Sequence, residues 1–120
     1  MKIAISCKEK SLTGEVSSQF GRAPYFAIHD LDSGETEYIN NTQTLNSASG
    51  AGIQSARHVV DADVGALLSG HCGPKAFRTL QAGDIKIYVN VAGTVQEAIE
   101  KYKSGQLTPV KDADVEGHWL

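Results

Sequence analysis

Apolar and polar residues are arranged along this chain in segments that predict strands first and alternating helices and strands later. The first segment, Lys2–Cys7, predicts a buried strand. Residues 8–19 are polar, contain glycine and show no period, which predicts a loop. Tyr25–Leu31 and Thr36–Asn40 predict two antiparallel strands, because the four residues between them, Asp-Ser-Gly-Glu, are typical of a hairpin turn.

The second half of the chain predicts three helices separated by two strands. Apolar residues at helical spacing follow Gly50, and the continuous apolar run Val64–Ser69 is typical of a strand buried on both faces. A short helix from Pro74 to Gly83 and a strand at Ile85–Val89 come next. A capping box at Thr94–Glu97 opens the last helix, which ends at Gly105.

The element order β-β-β-α-β-α-β-α predicts an α/β fold with a mixed five-stranded sheet. The hairpin strands must be antiparallel, whereas strands joined through a helix cross over in parallel. With the first and fourth strands as neighbours and helices on both faces, the carboxyl ends of these strands form the switch point where open sheets bind ligands. Cys7 would then lie near His71 and Cys72.

Composition and charge narrow the classes of function. The chain has 120 residues, 41% apolar, and a net charge of −3 with 11 Lys and Arg, which argues against nucleic-acid binding. It contains no apolar run near the roughly 20 residues of a membrane span and no signal peptide, so we expect a cytoplasmic protein. Residues 106–120 predict an extended tail of low order.

The segment Gly70-His71-Cys72-Gly73 contains the most notable candidate chemistry, because it follows a buried strand and precedes a helix. An exposed Cys72 beside a helix N-terminus would have a lowered pKa and bind metal; otherwise it is a small buried hydrophobic residue. The His71 imidazole can ligate copper or iron, or lie in solvent. Cys7 is a third metal candidate or a core residue, and a Cys7–Cys72 bridge stays open.

Three motifs together resemble a known family. They are Phe-Gly-Arg-Ala-Pro-Tyr-Phe at 20–26, Gly-Ala-Gly-Ile-Gln at 50–54 and Gly-His-Cys-Gly-Pro-Lys-Ala-Phe at 70–77. In this order they resemble the dinitrogenase iron-molybdenum cofactor biosynthesis family, small domains that carry or deliver molybdenum-containing sulfide clusters. The resemblance spans residues 1–105 as a single cluster-binding domain and implies a ribonuclease H-like fold. The cluster it implies is either molybdenum-iron, as for nitrogenase, or molybdenum-copper, as in the orange protein branch.

Two positions depart from the family's pattern. The residue before Phe-Gly-Arg is usually a histidine in the family, and here it is Gln19, a poor metal ligand. Conversely, a family position that is often Asn followed by an apolar residue is His71-Cys72 here, which supplies softer ligands. The resemblance therefore implies that metal-binding capacity has shifted between the two loops.

The resulting hypothesis is a non-enzymatic carrier whose partners are a metal cluster and the proteins that donate or accept it. We expect a monomer or weak homodimer that binds neither nucleic acid nor membrane. We expect the glycine-rich loops and one arginine to balance the charge of the cluster. These cofactor-binding candidates are Arg22, Gly50, Ala51, Gly52, Gln54, Gly70 and Gly73. His71, Cys72 and Cys7 are the metal candidates, and residues 41–49 would order on binding as a lid.

An enzyme remains as the alternative. His71-Cys72 and Arg78 have the spacing of the phosphate loop of cysteine phosphatases, in which a thiolate attacks phosphorus. Pro74 argues against this reading, because a helix that begins there directs Arg78 away from the loop. A metal-dependent nuclease would need clustered carboxylates, and the first strand contains none.

Overall fold

The computed structural model describes residues 1–42 and 50–111, and in that part of the chain it contains five strands and three helices in the predicted order. The strands are β1 (Lys2–Cys7), β2 (Tyr25–Asp30), β3 (Thr36–Asn40), β4 (Ala66–Leu68) and β5 (Lys86–Tyr88). The helices are α1 (Ala51–Asp61), α2 (Pro74–Ala82) and α3 (Val95–Lys103), and a 3-10 helix spans Phe20–Arg22. Residues 43–49 and 112–120, which hold most of the expected lid and tail, lie outside the described residues.

The five strands form one mixed sheet in the order β3-β2-β1-β4-β5. β1 pairs antiparallel with β2 and parallel with β4, so the predicted neighbourhood of the first and fourth strands is confirmed. β4 is shorter than the apolar run predicted, because only Ala66–Leu68 pair with Ile3–Ile5 of β1. The carboxyl ends of β1, β4 and β5 therefore meet at one edge of the sheet.

Helices cover both faces of the sheet, as predicted. α1 and α2 pack with Phe26 and Leu67 in one core cluster, whereas α3 packs with Ile5 and Leu68 in the other. Successive strand residues point to opposite faces, so Leu67 and Leu68 enter different clusters. In the described part of the chain no helix is long and apolar enough to cross a membrane.

The three helices begin differently. At α3 the predicted capping box is present: the Glu97 N–H donates to Thr94 Oγ1 at 3.1 Å, and the Thr94 N–H donates to Glu97 Oε1 at 2.9 Å. These bonds hold the pKa of the Glu97 carboxyl below its usual range. α1 begins after Gly50 and α2 after Gly73, and neither has a side-chain cap. The first N–H groups of α1 and α2 therefore have no acceptor on an N-cap side chain.

Beyond α3 the chain returns to the sheet. The Val110 N–H donates to the carbonyl oxygen of Ile87 at 2.8 Å, and Val110 packs against the core cluster of α1 and α2. The segment predicted to be an extended tail thus begins with a backbone contact to the outer edge of β5.

Candidate functional site

The loop after β1 lies along the carboxyl end of β4 and forms a short seam, which we define as residues 17–20 against Gly70 and His71. The Gly70 N–H donates to the Ser17 carbonyl at 3.1 Å, and the Phe20 N–H donates to the His71 carbonyl at 2.9 Å. Gln19 and His71 are partners in a parallel bridge between these two. The seam closes the edge of the sheet between β1 and β4, a pairing that the aperiodic sequence of the loop did not predict.

Buried serine residues of β1 and of the segment after β4 lie next to the seam. Ser6 Oγ and Ser69 Oγ are 2.8 Å apart, and both residues are fully buried. The Ser17 N–H donates to the Ser6 carbonyl at 2.8 Å. Because buried hydroxyls need partners, this arrangement favours one position for the loop. The sequence signal was available: each serine is a polar residue next to an otherwise apolar strand.

On the α1 side of the seam, the 3-10 helix packs directly against the first turn of α1. A Cβ atom on Gly21 would lie 3.2 Å from the Gly52 Cα atom, so both backbones approach closely because neither residue has a side chain. Phe20 anchors this contact from the core, with its ring centroid 5.3 Å from that of Phe26. Arg22, which follows, is exposed. The Arg22 guanidinium and the N-terminus of α1 thus belong to two elements that contact each other.

The two thiols lie in the core on opposite faces of the sheet. Cys7 is 0% exposed and belongs to the cluster of α3, whereas Cys72 is 1% exposed and belongs to the cluster of α1 and α2. Cys7 and Cys72 are not joined by a disulfide, so the bridge that the sequence left open is not formed. Burial raises the pKa of the Cys7 thiol to about 11. The exposed thiol considered for Cys72 is not what the structure shows, because its side chain is buried.

His71 is exposed and lines a groove of about 350 Å³ on the α3 side of the seam. Lys8, Ser18 and Asn90 also line this groove. Asn90 has a φ of 58°, in the left-handed region, and its N–H donates to the Gly70 carbonyl at 2.7 Å. The strained Asn90 backbone thus supports the same glycine that the seam requires.

The remaining described histidines have structural contacts. His29 is buried in β2 with its Nδ1 2.8 Å from Thr36 Oγ1, and burial lowers the pKa of its imidazole. His58 Nδ1 is 2.7 Å from Asn41 Oδ1. His118 lies outside the described residues.

Within residues 1–42 and 50–111, no group of three or more His, Cys, Asp and Glu side chains could hold a metal ion. This part of the chain therefore offers no conventional site for a single ion. It does offer backbone N–H groups at two helix starts, an exposed arginine and an exposed imidazole. Such groups fit a polyanion that brings its own sulfide ligands better than they fit a bare cation.

The phosphatase constellation is not assembled. A phosphate loop needs a reactive thiolate with an arginine beside it. Cys72 is buried, and α2 begins at Pro74, so that Arg78 lies in the second turn of the helix with its side chain exposed. The structure therefore leaves the cysteine in the core and the arginine on the surface, which argues against this chemistry.

Fold and site together define a small mixed α/β domain with glycine-rich loops at the carboxyl edge of its parallel strands. Residues 1–105 match the family described as dinitrogenase iron-molybdenum cofactor, and the chain belongs to that family. An uncharacterised protein from Methanocaldococcus jannaschii is 31% identical over 110 residues, which cover 89% of each chain.

Solved structures agree with this assignment. The apo form of the orange protein from Desulfovibrio gigas superposes with a TM-score of 0.93 at 33% identity, covering 95% of this chain and 96% of that one. A putative NifB protein from Thermotoga superposes with a TM-score of 0.81 at 35% identity, covering 95% and 98%. The predicted fold class and the family resemblance are therefore both confirmed.

Proposed function

We propose that this protein is a non-enzymatic carrier of a molybdenum-containing sulfide cluster, which it binds noncovalently or semi-covalently as cargo and hands to an acceptor protein. The observation that carries the proposal is the pair of helices, α1 and α2, that begin without side-chain caps at the edge where the seam lies. Family membership supports the choice of cargo, because the family is described by an iron-molybdenum cofactor.

The charge of the cargo explains why these residue types are suited to it. A thiomolybdate cluster is a bulky anion with soft sulfur surfaces, so it is stabilised by N–H donors and a guanidinium without a matched set of ligands. Arg22 supplies the guanidinium, and the first turn of α1 supplies N–H donors beside it. The start of α2, after Gly73, supplies further N–H donors. The proposed contact surface comprises Arg22, Gly50, Ala51, Gly52, Gln54, Gly70 and Gly73.

His71 is the proposed ligand to the second metal of the cluster, which is iron or copper. Imidazole binds both metals, and His71 is exposed on the seam. The family usually has its histidine at the position of Gln19, and Gln19 is the bridge partner of His71. In this chain the imidazole therefore lies on the segment opposite Gln19 in the seam, at the same edge of the sheet. Both thiols are buried, so the proposal does not depend on them.

Titration of the reduced protein with tetrathiomolybdate, followed by calorimetry and visible absorption, tests the proposal. We expect saturable binding that weakens as salt is raised, because exposed charges on protein and ligand attract. Sulfate serves as the competitor, since it has the same charge but hard oxygen atoms. Binding that sulfate abolishes at equal concentration, or no binding at all, would contradict a carrier selective for thiomolybdate.

A further inference from the structure

Asn41, at the end of β3, is fully buried and uses its whole amide group in hydrogen bonds. Its Nδ2 donates to the Ala23 carbonyl at 2.7 Å and to Ser55 Oγ at 2.9 Å. Its Oδ1 is 2.7 Å from His58 Nδ1. A buried amide without hydrogen-bond partners would destabilise the fold. Here every polar atom of the side-chain amide has a partner, so its burial is compensated.

The orientation of the Asn41 amide follows from its partners. A backbone carbonyl only accepts hydrogen bonds, so the atom that faces Ala23 must be the nitrogen. The oxygen then faces His58, which must donate from Nδ1. The amide and the imidazole therefore have one arrangement, and the network is directional at every contact.

These partners lie on the two elements that carry the proposed contact surface. Ala23 follows Arg22 and caps the 3-10 helix, and the Asn41 N–H donates to the carbonyl of Pro24 at 2.8 Å. Ser55 and His58 lie in α1, after the turn that begins at Gly50. Asn41 thus bonds to both elements, which also pack against each other directly, with a close approach at Gly21 and Gly52.

The two contacts differ in what they fix. Packing of glycine backbones is not directional, so it permits one element to slide along the other. Hydrogen bonds are directional, and a fully satisfied buried network selects one arrangement. The amide network is therefore the directional restraint on the separation between the arginine and the start of α1.

We propose that Asn41 is a positioning residue: by bonding the 3-10 helix to α1 it sets the distance between Arg22 and the first turn of α1, and thereby the size of anion that this surface selects. The selectivity rests on the proposed function, whereas the positioning does not. Asn41 is 0% exposed, so it acts through the two elements and does not contact the anion.

The test compares Asn41→Ala with Asn40→Ala in the full chain. Asn40 is a matched control because it is the adjacent asparagine, is exposed, and in the described residues its side chain bonds only to Thr42. In ¹⁵N NMR spectra without ligand, we expect the amide signals of Arg22 and Gly52 to broaden by exchange in Asn41→Ala and to stay sharp in Asn40→Ala. Should Asn41→Ala not fold, Ser55→Ala removes one of the two hydrogen bonds from Asn41 to α1, leaves the one to His58, and should broaden the same signals.

The second readout is selectivity. We expect the ratio of affinities for tetrathiomolybdate and the smaller molybdate ion to fall about tenfold in Asn41→Ala, and to stay unchanged in Asn40→Ala. Sharp Arg22 and Gly52 signals in the folded Asn41 and Ser55 variants would overturn the positioning role. Sharp signals cannot be confused with failure of the proposed function, which would show as absence of thiomolybdate binding to the unmodified protein. An unchanged ratio with broadened signals would overturn the selectivity.

Discussion

Gly70 and Ser18 approach so closely that a Cβ atom on Gly70 would lie 2.7 Å from the Ser18 Cα atom. Real Cβ atoms do not come this near to backbone, so the seam exists only with glycine at position 70. The seam in turn places His71 beside Gln19 and joins the loop after β1 to β4. One residue without a side chain therefore holds the edge of the sheet that we propose binds the cluster.

The first prediction concerns this glycine. Gly70→Ala should lower the free energy of unfolding by about 2 kcal/mol, because the methyl group meets backbone that cannot move aside. It should also weaken thiomolybdate binding. Urea denaturation measures the first effect. Gly83→Ala is the control, since its Cβ would lie 3.0 Å from Val60 Cγ2, a side-chain atom that can rotate away; equal destabilisation by both changes would contradict the argument.

The second prediction concerns Arg22. Arg22→Ala should weaken tetrathiomolybdate binding about tenfold and reduce its salt dependence, because a charge-assisted contact is lost. Arg57→Ala removes the same charge from an exposed position of α1 and should leave binding nearly unchanged. If the two variants weaken binding equally, net charge and not a specific guanidinium governs the affinity.

The third prediction tests the shift of the imidazole between loops. His71→Asn should retain molybdenum but lose the second metal, since the imidazole is its proposed ligand. The double variant His71→Asn with Gln19→His should regain that metal, because the two positions are bridge partners. Metal analysis of the desalted proteins measures both. A His71→Asn protein that keeps its full second metal would remove His71 from the site.

The fourth prediction concerns the alkaline limit of stability. Cys7 has a pKa raised from 9.0 to about 11 by burial, so the folded protein holds its proton where the unfolded chain has lost it. This contribution is present in full below pH 9 and is lost as the pH rises through 11, at a cost of about 3 kcal/mol. Cys7→Ala should show a correspondingly smaller loss of stability between pH 8 and pH 11 in urea denaturation. Parallel curves for the two proteins would show that the thiol ionises equally in both states.

Much of the fold was predictable because local signals and long-range pairing agree. The capping box at Thr94, Pro74 in the first turn of α2 and the hairpin turn at 32–35 each have a local cause, and each is found where the sequence indicates. The mixture of antiparallel and parallel strand pairs followed from connection rules that need only the element sequence.

The candidate site was less predictable, because it depends on contacts between segments distant in the chain. The seam joins residues 17–20 to Gly70 and His71 through backbone groups, and apart from the glycine at position 70 these bonds leave little trace in residue identity. The thiols illustrate the same limit. Cys7 alternates along β1 with the same face as Ile3 and Ile5, so its side chain enters the core cluster that α3 covers. The strand pattern in the sequence contained this signal. Cys72 lies beyond the end of β4, where no period applies.

The most direct test of the central claim is metal analysis after loading. Reduced protein is incubated with tetrathiomolybdate alone, with copper(I) and with iron(II), then desalted and analysed for molybdenum and the second metal. The account predicts retained molybdenum together with one preferred second metal, and loss of both in Arg22→Ala but not in Arg57→Ala. Desalted protein free of molybdenum in all three loadings would contradict the account.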